Sequence, residues 1–96
     1  MTSKERAYLR GLANSLDAIF QIGKGGISNN LITQLSDALE ARELIKISVL
    51  ETAPANAKLL GNEIANLTNS ILVQTVGNKI TLYRARKKDS KIVLPK

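Results

Sequence analysis

With 96 residues the chain is expected to form one domain with a single modest core, and its net charge is +6. It contains neither cysteine nor histidine, which excludes disulfides, zinc–thiolate sites and thiol nucleophiles and removes the commonest general base and metal ligand. No apolar run approaches the ~18 residues of a membrane span, and the first residues form no hydrophobic signal region. We therefore expect a cytoplasmic protein with no membrane partner.

The basic residues are concentrated at the two ends of the chain. Residues 1–24 carry four basic and two acidic groups, residues 25–78 carry three and five, and residues 79–96 carry seven and one. Such asymmetry favours a polyanionic partner, with nucleic acid ahead of an anionic membrane. A solvated basic tail that only aids solubility is the other interpretation of the same pattern.

Periodicity and capping signals predict seven elements. Thr2 and Glu5 have the spacing of a capping box, and apolar residues then recur at helical spacing up to Leu16. Ser28 is expected to cap the second helix. The predicted elements, in chain order, are a helix over residues 3–16, a strand over 18–22, a helix over 28–42, a strand over 44–49, a helix over 54–67, and strands over 71–76 and 79–84 joined by a tight turn at Gly77-Asn78.

This α-β-α-β-α-β-β order predicts a mixed four-stranded sheet packed with helices. The two β-α-β connections are expected to join parallel neighbouring strands by right-handed crossovers. The final hairpin is expected to add an antiparallel strand.

A glycine-rich loop, Gly23-Lys24-Gly25-Gly26, separates the first predicted strand from the second helix. Glycine allows a backbone to bend sharply and to approach a ligand closely, and a helix N-terminus favours an anion. A G-x-x-G loop ahead of a helix is also the device with which KH-type modules clamp a nucleotide backbone. The loop lacks both the Walker A and the dinucleotide-binding patterns, so we expect no nucleotide cofactor. A tight strand-to-helix turn without a ligand is the alternative interpretation.

Basic side chains from both ends of the chain could join this loop in one surface that tracks the phosphates of a nucleic acid. That set comprises Lys4, Arg6, Arg10, Lys24, Arg84, Arg86, Lys87 and Lys88. Alternatively, each charge is separately solvated. Tyr83, beside Arg84, is a candidate for base stacking, with a core position as the alternative.

The acidic residues suggest no catalytic site. Asp37 and Glu40 are read as part of a solvated helix face, and no nucleophile has a plausible base. We therefore expect neither an enzyme nor a bound metal or cofactor.

The chain resembles the stand-alone bacterial CRM domain proteins (chloroplast RNA splicing and ribosome maturation), the YhbY-like family. The resemblance covers about residues 2–84, and its segments recur in the family's order. These segments are Tyr8-Leu9-Arg10-Gly11-Leu12-Ala13, Gln21-Ile22-Gly23-Lys24-Gly25-Gly26, Glu43-Leu44-Ile45-Lys46-Ile47, Leu72-Val73-Gln74 with Gly77, and Leu82-Tyr83-Arg84.

The resemblance implies a two-layer α/β (α+β) fold similar to the C-terminal domain of bacterial translation initiation factor 3. It also implies RNA binding through the G-x-x-G loop and nearby basic residues, and association with precursors of the large ribosomal subunit. The loop glycines and Lys24 carry over, as do Arg10 and Arg84 as basic positions. The chain departs from the family at Asn14 and Asn78, where members often have histidine, and at Asp17-Ala18, where lysine and proline are usual.

The resulting expectation is a monomeric RNA-binding protein that acts in large-subunit assembly. Residues 1–84 would form the CRM domain and residues 85–96 a basic C-terminal tail, with ribosomal RNA as partner and no small-molecule substrate. A module that docks on a ribosomal protein or another assembly partner is the alternative, and an RNA-modifying enzyme is a third, less favoured one. The expected RNA-binding residues are Gly23, Lys24, Gly25, Gly26, Lys4, Arg6, Arg10, Arg84 and Arg86.

Overall fold

A computed structural model describes residues 1–86 and 92–94. The elements follow the predicted order, and all seven are present. They are α1 (Ser3–Ala13), β1 (Phe20–Ile22), α2 (Asn29–Arg42), β2 (Leu44–Val49), α3 (Ala57–Thr68), β3 (Ile71–Val76) and β4 (Lys79–Tyr83). Lys87 and Lys88 of the predicted basic set lie outside the described residues. Within the described ranges, no helix combines the length and the apolar character needed to cross a membrane.

The four strands form one mixed sheet in the order β1-β2-β4-β3. β1 and β2 are parallel neighbours, as expected, and β4 is antiparallel to both of its neighbours. β2 and β3 are not neighbours, which corrects the expectation for the second β-α-β connection. The two-residue turn folds β4 back between them, and β4 satisfies the hydrogen bonds of both strands.

Helices cover both faces of the sheet. Along β2, Ile45 and Ile47 point into a large cluster shared with α2 and α3, whereas Leu44 belongs to a second cluster with Leu9 and Ala13 of α1. This alternation follows from the two-residue period of a strand. The mixed four-stranded sheet with three helices is as predicted, with α2 and α3 packed on one face and α1 on the other.

α1 begins as predicted and ends earlier. Thr2 and Glu5 form both hydrogen bonds of the capping box, and these bonds hold the pKa of Glu5 below its ordinary value. The helix ends at Ala13 instead of Leu16. Leu16 donates from its amide to the Ala13 carbonyl, at 3.0 Å, and still packs against the second cluster. The Leu16 side chain therefore fits the helical spacing of the apolar residues, although its backbone lies outside the helix.

α3 begins later than predicted because Asn56 is its N-cap. The Asn56 side chain accepts a hydrogen bond from the Leu59 amide at 2.9 Å, and the first helical residue is Ala57. Pro54 lies in the bend that precedes the helix rather than in the first turn of the helix.

The β3–β4 turn is the predicted Gly77-Asn78 pair. Gly77 has φ of +57°, and Asn78 has a negative φ. Glycine at the first central position is the pattern of a type II′ turn, which explains the order Gly-Asn.

The end of the described chain returns to the body of the protein. The buried Glu43 carboxylate accepts from the Arg86 amide at 3.5 Å and from the Ile92 amide at 3.3 Å. Ile92 and Leu94 pack against the α1 cluster. These described residues of the predicted tail are therefore docked.

Candidate nucleic-acid interface

The glycine loop is a tight turn with its central residues in solvent. The Gly26 amide donates to the Gly23 carbonyl at 2.9 Å, which places Lys24 and Gly25 at the tip. Both tip residues are exposed. Gly26 has φ of +63°, a left-handed conformation that other residues adopt at a cost.

The glycines of the loop face different surroundings. A methyl group added at Gly26 would lie 3.0 Å from the Pro54 ring, and one at Gly23 would lie 3.5 Å from Leu50. At Gly25 no described atom outside the adjacent chain lies within 4 Å of that position. Gly23 and Gly26 therefore pack on the β2–α3 connection, whereas Gly25 leaves room for a ligand backbone.

The N-terminus of α2 follows the loop directly. Ser28 is its N-cap, as predicted, and its Oγ accepts from the Leu31 amide at 3.1 Å. The N–H groups of Asn29 and Asn30 have no intrahelical acceptors because they belong to the first turn. That turn contains no acidic residue. Its partial positive charge and the Lys24 ammonium thus favour an anion at this end of the sheet.

Arg6 holds α1 against β3. Its guanidinium Nη1 donates to the Leu72 carbonyl at 2.8 Å and to the Val73 carbonyl at 2.6 Å. The register of β3 shifts between Leu72 and Gln74, so these carbonyls lie at a bulge. Arg10, one turn later, and Lys4 are exposed on the same helix.

Arg84 joins the end of β4 to both helices of the other face. Its guanidinium donates to Oγ and the carbonyl of Ser36, at 3.0 and 2.8 Å, and to the Thr68 carbonyl at 2.8 Å. The Glu40 carboxylate lies 3.7 Å away. The buried Nε of Arg86 has no acceptor among the described residues.

The predicted basic residues do not form one cluster. Ile22, just before the loop, pairs with Val49 at one end of β2, whereas Tyr83, just before Arg84, pairs with Leu44 at the other end. Six strand residues separate these ends by about 17 Å. Lys24 therefore lies at one end of the sheet, and Arg84 and α1 with its basic residues lie toward the other.

Tyr83 belongs to the core and is not available for stacking on a base. It is 4% exposed and packs in the α1 cluster. Burial raises the pKa of its hydroxyl, and the negative charges of Glu43 and Glu5 raise it further.

Two lysines outside the predicted set lie closer to the loop than Arg84 does. Lys79 pairs with Ser48, which in turn pairs with Gln21, two residues before Gly23. Lys46 lies two residues before Ser48 on β2 and on the same face of the sheet. The alternation of β2 places Lys46 away from the apolar face, but the adjacency of Lys79 depends on the strand order, which the sequence left open.

The sequence of the chain is similar to those of known proteins. The CRS1/YhbY (CRM) domain model matches residues 1–84. The probable RNA-binding protein YqeI of Bacillus subtilis is 44% identical over 95 residues, which cover 99% of each chain. An RNA-binding protein of Haemophilus influenzae is 31% identical over 96 residues, which cover 100% of this chain and 96% of that protein.

A solved structure agrees as well. The solution structure of a hypothetical Staphylococcus aureus protein, described as a candidate RNA-binding protein, has a TM-score of 0.83 to this chain. The two are 47% identical, with 99% of both chains covered. These relatives are named for RNA binding and not for a reaction. From the family match and the full-length relatives it follows that the chain belongs to the CRS1/YhbY (CRM) domain family.

Proposed function

We propose that this protein binds RNA through the glycine loop, without catalysis, and assists assembly of the large ribosomal subunit in the cytoplasm. The observation that carries the proposal is the exposed Lys24-Gly25 tip directly ahead of the α2 N-terminus. Family membership and the names of the relatives support RNA as the ligand.

In this mechanism the loop holds one phosphate of the RNA backbone. Gly25 lets the backbone approach, the first amides of α2 and the loop donate to the phosphate oxygens, and Lys24 neutralises its charge. Contacts of this kind position RNA without reading its sequence.

The arginines divide into two groups in this proposal. Arg10, together with Lys4, is exposed and extends contact along the RNA. Arg6 and Arg84 donate to the protein's own carbonyls and act chiefly by holding the helices in place. Direct RNA contact by Arg6, Arg84 and Arg86 stays a prediction.

The loop is tested by two variants and a charge-matched control. Lys24→Gln removes the charge, and Gly25→Asp adds a carboxylate at a position with open space. Arg42→Gln removes one charge at the far end of α2, about 20 Å from the loop. Binding of each to a ribosomal RNA fragment is measured over a salt series by fluorescence anisotropy.

We expect Lys24→Gln to lower affinity about fivefold at ~0.1 M salt and to reduce the logarithmic salt slope by about 0.7, since one phosphate contact is lost. Gly25→Asp is expected to weaken binding further, and Arg42→Gln to leave it unchanged. Wild-type affinity and slope in both loop variants would contradict the proposed mechanism.

The role in assembly is tested by sedimentation. We expect the protein to co-sediment with large-subunit precursors and to be released by high salt. If it instead stays bound to an isolated ribosomal protein after nuclease treatment, the protein-docking alternative is favoured.

A further inference from the structure

The face of the sheet that carries α1 is only partly covered. α1 packs over Leu44, Val73 and Tyr83, toward the end of β2 that is remote from the loop. The rest of that face carries polar side chains from all four strands, with the exposed Val76 beside Lys79 at its edge. We call these polar side chains the open sheet face, and they are Gln21, Lys46, Ser48, Gln74, Lys79 and Thr81.

These side chains form two rows across the strands. In the row next to the glycine loop, Gln21 pairs with Ser48 and Ser48 with Lys79. In the second row, Lys46 pairs with Thr81 and Thr81 with Gln74. The two lysines are diagonal neighbours on adjacent strands, with Cα atoms about 7–8 Å apart.

The charge of the open sheet face is positive. Its strand residues include two lysines and no carboxylate. Lys79 Nζ donates to Ser48 Oγ, and among residues 1–86 and 92–94 neither lysine has a carboxylate within ion-pair distance. Lys79 and Gln21 are exposed, Lys46 and Gln74 are half-buried, and Ser48 and Thr81 are buried. The ammonium groups are thus available to an anion.

The open sheet face is continuous with the glycine loop. Gln21 belongs to the first row and is followed by Ile22 and then by Gly23 at the start of the loop. An RNA strand with one phosphate at Lys24 that runs across β1, β2 and β4 would therefore next reach Lys46 on β2 and Lys79 on β4. The accessible part of the face offers the ammonium groups of its lysines and the amides of Gln21 and Gln74, and its six residues include no aromatic ring. It therefore suits phosphates and 2′-hydroxyls rather than stacked bases.

We propose that the open sheet face is a second contact surface for the RNA backbone, in which Lys46 and Lys79 bind successive phosphates beyond the one at Lys24. This inference rests on the proposed function, because it extends the RNA path that begins at the loop. RNA is favoured over an acidic protein because the face is directly continuous with the loop.

The test compares two double variants of equal charge change. Lys46→Gln/Lys79→Gln alters the open sheet face, and Arg42→Gln/Lys58→Gln removes two exposed charges from the helices of the other face. We expect the first pair to lower affinity for a ribosomal RNA fragment about 25-fold at ~0.1 M salt, with a salt slope reduced by about 1.4. The control pair should retain wild-type binding, and Lys46→Arg/Lys79→Arg should restore it.

Comparison with Lys24→Gln separates the two proposals. If Lys24→Gln weakens binding and the Lys46/Lys79 pair does not, the second surface is overturned and the proposed function stands. If neither changes affinity, both fail. If only the Lys46/Lys79 pair weakens binding, the open sheet face is supported and the loop mechanism fails.

A second measurement uses the unmodified protein and does not depend on the folding of a variant. Lysine acetylation is followed by mass spectrometry with and without the RNA fragment. We expect RNA to protect Lys46 and Lys79 together with Lys24, while Lys58 reacts at the same rate in both samples. Protection of Lys24 alone would overturn the inference.

Discussion

At the scale of single residues, the loop glycines have separate physical roles. Gly26 is in the left-handed region and its missing side chain faces Pro54, whereas Gly25 has ordinary φ and faces open space. The fold therefore requires glycine at position 26, whereas position 25 has room for a ligand.

This difference gives a prediction for stability. Gly26→Ala is expected to lower the free energy of unfolding by about 1–2 kcal/mol from backbone strain alone, with the Pro54 contact adding to it. Gly25→Ala should cost nothing or stabilise slightly, because it restricts the unfolded chain. Urea denaturation of both variants measures the difference. Equal stabilities would show that the loop conformation is not as described.

The residues that the sequence identified well are those whose partners are close along the chain. Thr2 and Ser28 each cap an amide three residues later, so spacing alone predicts them. The bonds of Arg6 join residues 66 and 67 positions away, and those of Arg84 reach Ser36, 48 positions away. No local pattern indicates such partners, so both side chains resembled free cations.

At the scale of elements, Arg84 determines how α2 and α3 meet the end of β4. The planar guanidinium donates to two carbonyls and a hydroxyl at once, a geometry that a lysine ammonium does not reproduce. The charge and the bonding geometry of this residue can therefore be tested separately.

Arg84→Lys is expected to reduce the free energy of unfolding by about 1.5 kcal/mol or more, since bonds from a charged donor are lost. Its salt slope for RNA binding should stay at the wild-type value. Arg10→Lys, at an exposed site on α1, serves as control and should change neither quantity. A fully stable Arg84→Lys variant with weakened RNA binding would instead indicate direct contact with RNA.

Element bounds were predicted best where a cap or turn residue marks them. The β3–β4 turn and both ends of β2 agree with the sequence. β1 begins two residues later than predicted, and of the helices α1 and α3 differ by three residues at one end each. In both cases an apolar or turn-favouring residue, Leu16 or Pro54, fits the helical pattern. The hydrogen bonds instead end α1 at Ala13, and the Asn56 side chain caps the start of α3.

At the scale of the whole molecule, strand order was the feature that the sequence did not determine. Alternation assigns a face to each residue of a strand, but which strands become neighbours depends on pairing between distant segments. The insertion of β4 between β2 and β3 brings Lys79 beside Ser48. The open sheet face arises from that insertion.

The placement of α1 explains why the predicted basic surface is divided. α1 leads to β1 along the chain but packs toward the end of the sheet opposite the loop. Proximity in sequence to the glycine loop therefore did not bring its arginines to Lys24. An RNA that contacts both must cross the face between them.

The hydrogen bonds from Arg6 to β3 also bear on whether two copies of the protein can pair through this strand. β3 lies at the edge of the sheet, with Ile71 and Val76 exposed, and pairs with β4 on one side only. An open strand edge invites pairing with a second chain, and a charged side chain on it is one way to prevent this.

Arg6→Ala is accordingly expected to release the Leu72 and Val73 carbonyls and to produce dimers or larger species at high concentration. Arg10→Ala removes the same charge one turn later and should remain monomeric. Light scattering after size exclusion compares the two, and an Arg6→Ala variant as monomeric as the control would refute the idea. On this prediction Arg6 has a second role beside holding α1 against β3, which is to shield a strand edge from pairing with another copy of the protein.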